Sequence, residues 1–250
     1  MTGGSLCFVL FAYDEEGLVE GAVRRVLAAL ARDFPDFEVV LIDDGSRDRT
    51  GEVMDRLARE DRRIRVHHNL VNLNVGVSIQ RGLAAATGEY VVYDGVDLPL
   101  APEDVAGLVA RMADCDVLVL ERTSFAGYTR WRRITSRVNR LLLRILFGKV
   151  FTDMNYSQIF RRSVVPKILP LGRSPAFTAP ELILRALRLR LRVRSVPVAY
   201  HPRPVGTGSL GRPHDILWTL YDLFRFRLIV WPRLGRGRDR TRATSHLERP

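Results

Sequence analysis

Two carboxylates three residues apart, Asp94 and Asp97, follow the short apolar run Tyr90–Tyr93 and precede a Pro-containing turn and the sequence Pro102-Glu-Asp. A run that is apolar at every position reads as a strand buried on both faces. Carboxylates at the C-terminal edge of such a strand stand where open α/β sheets bind ligands. The plainer alternative is that both acids only solvate a loop. A second acidic pair, Asp43-Asp44-Gly45-Ser46, ends another apolar run, Phe37–Ile42. The basic side is arginine, whose planar fork pairs phosphate oxygens two at a time. The five histidines show no metal-ligand spacing, and the two cysteines, Cys7 and Cys115, suggest neither a disulfide framework nor a zinc site.

The elements that would position these acids alternate in type. Leu6–Phe11, Phe37–Ile42, Ile64–His67, Tyr90–Tyr93 and Val117–Leu120 read as strands. Helical periodicity runs over Gly17–Ala31, through Val53, Leu57 and Ala58, over Val77–Ala86 and over Glu103–Met112. Asp48 or Thr50 can cap the second helix, and Pro102 opens the fourth with acids in its first turn. Strands and helices in this alternation predict an α/β fold, a mostly parallel sheet with helices on both faces.

At 250 residues the chain has room for one such domain and a C-terminal appendage. Its net charge of +11, carried almost entirely by arginine, calls for a polyanionic partner: nucleic acid, acidic headgroups or a phosphorylated substrate. The arginine-rich tail has no aromatic-interleaved or helix-turn-helix context, so no nucleic acid is expected. Neither a signal peptide nor a membrane-spanning run is recognised, and the expectation is a cytoplasmic protein, soluble or peripheral to a membrane.

Beyond Arg122 the pattern changes. Over Trp131–Phe147, one stripe at helical spacing is apolar (Trp131, Ile134, Val138, Leu141, Ile145), and the stripe beside it is Arg130, Arg133, Arg137, Arg140 and Arg144. Two readings are open, a core-packed helix with a solvated cationic face or a helix lying on an anionic bilayer with its apolar side down. A second aromatic-rich segment, Ile216–Trp231, precedes the basic tail and favours the bilayer. The expected organisation is a catalytic domain over 1–212, an amphipathic interfacial helix over 213–234 and a disordered basic tail over 235–250.

Several motifs occur in register. Phe11-Ala-Tyr-Asp-Glu-Glu, Leu41-Ile-Asp-Asp-Gly-Ser-Arg-Asp-Arg-Thr, Asn74-Val-Gly-Val-Ser-Ile-Gln-Arg-Gly and Ala86-Thr-Gly-Glu-Tyr come first, in that order. Arg132-Arg-Ile-Thr-Ser-Arg-Val-Asn, Ile159-Phe-Arg-Arg, Ala179-Pro-Glu-Leu-Ile and His201-Pro-Arg-Pro-Val-Gly follow. Together they resemble the inverting GT-A glycosyltransferases of family 2, closest to the polyprenyl-phosphate branch typified by dolichol-phosphate mannose synthase. The resemblance spans roughly residues 5 to 230.

It implies a Rossmann-like GT-A fold and a nucleotide-sugar held by Ala12, Tyr13, Glu15, Asp43, Asp44 and Gly76, with Tyr13 against the base. It implies Mg²⁺ or Mn²⁺ on the diphosphate, with Asp97 as the metal ligand. The family pattern there is Asp-x-Asp. An ungapped match sets Gly95 at the first acid, so Asp94 could serve only if a bulge at Gly95 re-aimed it. Other departures are Phe11 for proline, Asp14 for asparagine, and Asp153-Met-Asn-Tyr-Ser-Gln for an acid-then-Gly-Phe segment. The acceptor implied is a polyprenyl phosphate, bound by Arg122, Arg132, Ser136 and Arg203. Its ionised oxygen would attack without a general base. Glu181 would be the base were the acceptor a sugar hydroxyl, or is simply an acid in the first turn of a helix after Pro180. A membrane-protein partner or a homo-oligomer is compatible with these features.

Overall fold

The computed structural model describes residues 4–124, 129–148, 151–170, 172, 174–201 and 213–234. Its elements in chain order are β1 (Leu6–Ala12), α1 (Glu16–Asp33), β2 (Phe37–Asp43), α2 (Thr50–Glu60), β3 (Ile64–His68), α3 (Val75–Ala85) and β4 (Tyr90–Gly95). A 3₁₀ turn over Pro102–Asp104 leads into α4 (Val105–Ala110), then β5 (Val117–Arg122) and α5 (Arg130–Phe147). After these come β6 (Gln158–Arg161), α6 (Val165–Ile168), α7 (Thr178–Arg188), β7 (Val193–Val198) and α8 (Pro213–Arg225), which continues as a π-helical turn over Phe226–Val230.

The strands form one seven-stranded sheet in the order β3-β2-β1-β4-β6-β5-β7. All run in the same direction except β6, which pairs antiparallel with β4 and β5. The α/β expectation with a mostly parallel sheet holds. The sequence reading lacked β6 and β7 for physical reasons. The four residues of β6 are too few to show a period, and β7 carries Arg194 and Pro197 in the alternating pattern of an edge strand.

Burial follows the period of each element. β1 is buried at six of its seven positions, because helices cover both faces of the sheet. Val19, Val23 and Val26 of α1, Met54 and Leu57 of α2 and Val105 of α4 close one face with Leu6, Phe8 and Leu10. Ile79 and Leu83 of α3, Ile168 of α6 and Leu182 of α7 close the other with Cys7 and Val9. Leu143 of α5 and Leu223 and Phe226 at the C-terminal segment form a third cluster with Val119, Phe177 and Leu184. Residues 213–234 are thus docked on the α/β core, while the tail 235–250 lies outside the described residues.

The two amphipathic elements present their apolar stripes outward. Trp131, Ile134, Val138, Leu141 and Ile145 are each more than half exposed, whereas α5 packs inward through Leu143. Arg130, Arg133, Arg137 and Arg144 are exposed beside that stripe and Arg140 is half-buried. The reading in which the apolar stripe of α5 packs into the core is therefore overturned. On α8 and its π-helical turn, Leu217, Trp218, Tyr221, Phe224, Leu228 and Ile229 are exposed while Thr219, Asp222 and Leu223 are buried. Trp231 belongs to the inner side, edge-on to Phe147 with ring centroids 5.2 Å apart. The Arg227 guanidinium donates to the Leu146 carbonyl at 2.9 Å, so the end of α8 is fastened to the end of α5.

Candidate active site

The C-terminal ends of β1, β2 and β4 lie side by side, with Ala12 in register with Asp43 and Phe11 with Gly95. The loops leaving them are tied together by side chains. Asp48 accepts from Thr50 N–H at 2.9 Å through Oδ1 and from Glu16 N–H at 3.1 Å through Oδ2. One carboxylate thus satisfies the first N–H groups of both α1 and α2, where the helix dipoles favour negative charge. Thr50 Oγ1 accepts from Glu15 N–H, Ser46 Oγ from Asp14 N–H, and Asp14 from Arg47 N–H at 2.7 Å. The start of α1 is therefore already filled by a protein carboxylate.

Asp43 is the last residue of β2 and Asp44 lies just beyond it, and the two take different partners. Asp43 accepts from Ser46 N–H at 2.9 Å and pairs with His68 Nδ1 at 2.9 Å, while His68 Nε2 lies 3.1 Å from Asp55. Burial pushes the Asp43 carboxyl up, but the hydrogen bonds from His68 and Ser46 outweigh it and leave it below its ordinary value. The His68 ring is raised, chiefly by its bond to Asp43, against the opposing effect of burial and with a further contribution from Asp55. Asp44 is 4% exposed and accepts from Asn69 Nδ2 at 2.6 Å and Leu73 N–H at 3.0 Å; burial raises its carboxyl. Its main-chain N–H donates to the Ala12 carbonyl at 2.9 Å, joining two of the sequence-nominated residues directly. Gly45, at φ +74°, permits the loop 69–74 to lie against it, since a Cβ there would meet Val71 C at 2.4 Å. Asn69 also accepts from the Arg81 guanidinium, so Asp44, Asn69 and Arg81 form one chain. Asn74 caps α3, its Oδ1 accepting from Gly76 N–H at 2.9 Å, and Tyr13 and Glu15 are half-buried at the same edge.

At the end of β4 the structure separates the two aspartates. Asp94 keeps the strand register opposite Leu10, so no bulge at Gly95 re-aims it. The turn that follows is closed by Leu98 N–H on the Gly95 carbonyl at 3.0 Å, with Leu98 at φ +46°. Asp94 is 4% exposed and faces inward, accepting from Leu100 N–H at 2.9 Å and from Gly95 N–H at 3.0 Å, with the Ser157 hydroxyl 3.4 Å away. Burial holds its carboxyl well above the usual range, and the Asp97 charge adds to this. Asp94 therefore shapes the turn, and the expectation that it stands in for a missing ligand is corrected. Asp97 is half-buried, and its Oδ1 occupies the space a Cβ on Gly95 would need, 2.5 Å away. Among the described residues no group of three or more His, Cys, Asp or Glu side chains could hold a metal ion. One carboxylate above a glycine suits Mg²⁺ or Mn²⁺ delivered on a diphosphate, because such ions take one or two protein carboxylates and fill their shell with phosphate oxygens and water.

The acceptor-side residues are distributed unequally. Arg122, at the end of β5, is paired in a fork with Asp153, Nε to Oδ2 at 2.6 Å and Nη2 to Oδ1 at 2.9 Å, and both side chains are 7% exposed. Its guanidinium also stacks 5.1 Å from the Tyr156 ring and 5.5 Å from the Tyr200 ring. In the ligand-free chain Arg122 is thus already engaged by a buried carboxylate. Ser136 is half-buried on α5. Arg132 is on the same helix, but its side chain lies outside the described residues, as does Arg203 altogether. Glu181 is 1% exposed and bonded to Arg185 Nε at 2.8 Å and Gly172 N–H at 3.2 Å, the surroundings of a buried loop anchor. The sequence reading missed Asn69, His68, Asp153, Tyr156 and Tyr200. Of these only Asp153 and Tyr156 carried a signal, their place in a segment that departs from the family pattern.

Comparison with known proteins agrees with this architecture. The family described as Glycosyl transferase family 2 matches residues 7–169. The chain is 30% identical over 245 residues to glycosyltransferase AglD of Haloferax volcanii, covering 94% of this chain and 39% of that protein. It is 32% identical over 172 residues to the undecaprenyl-phosphate 4-deoxy-4-formamido-L-arabinose transferase of Pseudomonas aeruginosa, covering 68% of this chain and 50% of the relative. The chain thus spans half or less of the length of these relatives. Glucosyl-3-phosphoglycerate synthase from Mycobacterium tuberculosis, solved with Mn²⁺, UDP and glucosyl-3-phosphoglycerate, superposes with a TM-score of 0.65 at 20% identity. That match covers 90% of this chain and 80% of the other and shows a shared GT-A fold.

Proposed function

The chain belongs to glycosyl transferase family 2, and from that membership we propose that it moves a sugar from a nucleoside-diphosphate donor to a polyprenyl phosphate at the cytoplasmic face of a membrane. The observation that carries the acceptor side is the outward apolar stripe of α5 with arginines beside it, on the helix that follows the C-terminal edge of β5. A soluble acceptor gives no reason to expose Trp131, Ile134, Val138, Leu141 and Ile145 together. A bilayer-embedded acceptor does, and one relative is named for undecaprenyl phosphate.

In this reading the nucleotide lies across the ends of β1 and β2, with Tyr13 along the base and Glu15 and the Asp43–Asp44 loop beside the ribose. Mg²⁺ or Mn²⁺ at Asp97, when bound, would neutralise charge on the departing diphosphate. The lipid phosphate, largely ionised at neutral pH, would attack the anomeric carbon from the far side and invert it, so no side chain need remove a proton. Ser136, Arg132 and Arg203 are the candidates to hold that phosphate, and the arginine row of α5 would attract anionic headgroups around it.

The test supplies radiolabelled UDP- and GDP-sugars, undecaprenyl phosphate and Mn²⁺, followed by chloroform–methanol extraction. Label in the organic phase supports the proposal; transfer that leaves the label in the aqueous phase points to a soluble acceptor. A second reading, a homologue that binds nucleotide-sugar without transferring it, is favoured by the burial of Asp94, which leaves Asp97 as the single acid of the pair above the turn. Nucleotide binding without transfer under any of these conditions would select it.

A further inference from the structure

Arg122 occupies a position where the family resemblance implies a contact with the acceptor phosphate, yet its surroundings describe another task. Tyr156 and Tyr200 lie on the guanidinium and meet each other edge-on, with ring centroids 6.0 Å apart. The residue after each tyrosine reaches the turn that carries Asp97. Ser157 directs its hydroxyl to Asp94, whose other oxygen holds Leu100 N–H at 2.9 Å. His201 donates its N–H to the Pro99 carbonyl at 3.0 Å. The far end of the turn, Pro99–Leu100, is thus gripped from two sides by segments whose tyrosines meet each other and Arg122. Asp153 fixes the guanidinium against the two rings, and Glu121 fixes the Asp153 segment by accepting from Thr152 N–H at 2.6 Å.

We propose that Arg122 is a positioning residue that, clamped by Asp153 against Tyr156 and Tyr200, sets the turn holding Asp97 and does not itself bind the acceptor phosphate. The consequence for the reaction rests on the glycosyltransferase reading above, but the clamp is a property of the ligand-free chain. Lysine cannot replace Arg122 here, because an ammonium has neither a fork for Asp153 nor a flat cation to lie against the two tyrosines.

Amide hydrogen exchange in the ligand-free protein separates the two roles. With a positioning Arg122, Arg122→Lys and Asp153→Asn each speed exchange at Leu98, Leu100 and His201 by about tenfold or more, while strand amides such as Val9 and Leu41 are unchanged. The double variant is no worse than either single one, since both break the same clamp. With a phosphate-binding Arg122, Asp153→Asn releases the guanidinium, tightens binding of inorganic phosphate and leaves the turn amides as protected as before. That result overturns the proposal. Should Arg122→Lys fail to fold, Tyr200→Leu removes one face of the clamp, keeps the ion pair, and must still expose the His201 and Leu100 amides. Broadening of the Leu98 and Leu100 amide signals by Mn²⁺ supplies a second readout, expected in the parent and weaker in both single variants at equal Mn²⁺. A parent that shows no broadening speaks against the metal reading alone, and the exchange rates then decide the clamp.

Discussion

Asp94 and Asp97 share one turn, yet Asp94 hands its carboxylate to the Leu100 and Gly95 N–H groups inside the protein while Asp97 rests above Gly95 at its edge. The two should therefore fail differently. Asp97→Asn is expected to abolish the Mn²⁺-dependent part of UDP binding in calorimetry and to leave the melting temperature nearly unchanged. Asp94→Asn sets an amide NH₂ against a main-chain donor and should cost about 1–3 kcal/mol of stability, with a smaller effect on metal-dependent binding. Equal loss of that binding in both variants would place both acids on the metal.

Gly45 and Gly21 make a paired test of the loop that borders the nucleotide. At Gly45 a methyl group is doubly refused, by φ +74° and by Val71 C at 2.4 Å. Gly45→Ala should destabilise by about 1–3 kcal/mol and weaken nucleotide binding by displacing loop 69–74. Gly21 lies inside α1 with nothing within 4 Å of a Cβ, so Gly21→Ala should stabilise by about 0.5–1 kcal/mol. Urea denaturation measures both, and a stabilised Gly45→Ala would show that the loop does not press on Gly45.

The His68–Asp43 pair gives stability a definite dependence on pH. The His68 ring is raised, so its contribution is complete below the ordinary histidine value of about 6.5 and is lost as pH rises through the folded value. Asp43 is lowered, so its contribution is complete above about 3.9 and is lost as pH falls through its folded value. Both act together from about pH 4 to 6.5. With His68 42% exposed, the gain is below about 1 kcal/mol. His68→Gln should flatten the stability profile above pH 6; an unaltered profile would assign the slope to another group.

How much of this was legible depends on the kind of signal each part leaves. The strands carrying Ala12, Asp43 and Asp94 announced themselves, because residues buried on both faces must be apolar throughout. Asp48 as a helix cap was readable from local chemistry, although its second duty at α1 was not, since Glu16 is distant in sequence. The roles of Asp94, Arg122 and Glu181 could not be read. An acid at a strand end looks the same whether it meets solvent or a buried N–H, and Asp153 lies 31 positions beyond Arg122. The spacing on α5 fixed which residues share a stripe but not which way it faces, because that depends on Leu143 finding Val119 and Phe177.

The outward stripes of α5 and α8 lead to the last prediction, attachment to an anionic bilayer. Arginines near such a surface contribute about 1 kcal/mol each, a term that salt screens within about 8–10 Å. Apolar side chains entering the interface add up to about 1.5–3 kcal/mol each on full burial, and salt does not remove that term. No helix among the described residues is long and apolar enough to cross a membrane; the binding predicted from the two stripes is interfacial. Sedimentation with liposomes containing anionic lipid should be strong at low salt and only partly reversed at high salt. Removing residues 235–250 should lower the salt-sensitive part. Replacing Trp131, Leu141, Trp218 and Phe224 with serine should release the protein at every salt concentration. These four are exposed, so circular dichroism should show the fold intact. Trp231→Ser, by contrast, should unsettle the fold, because that ring packs against Phe147 and Phe226. An intact protein that stays in solution beside anionic liposomes at low salt would remove the bilayer from the account. The lipid-phosphate acceptor would go with it, because the exposed stripes would then need a protein partner to cover them.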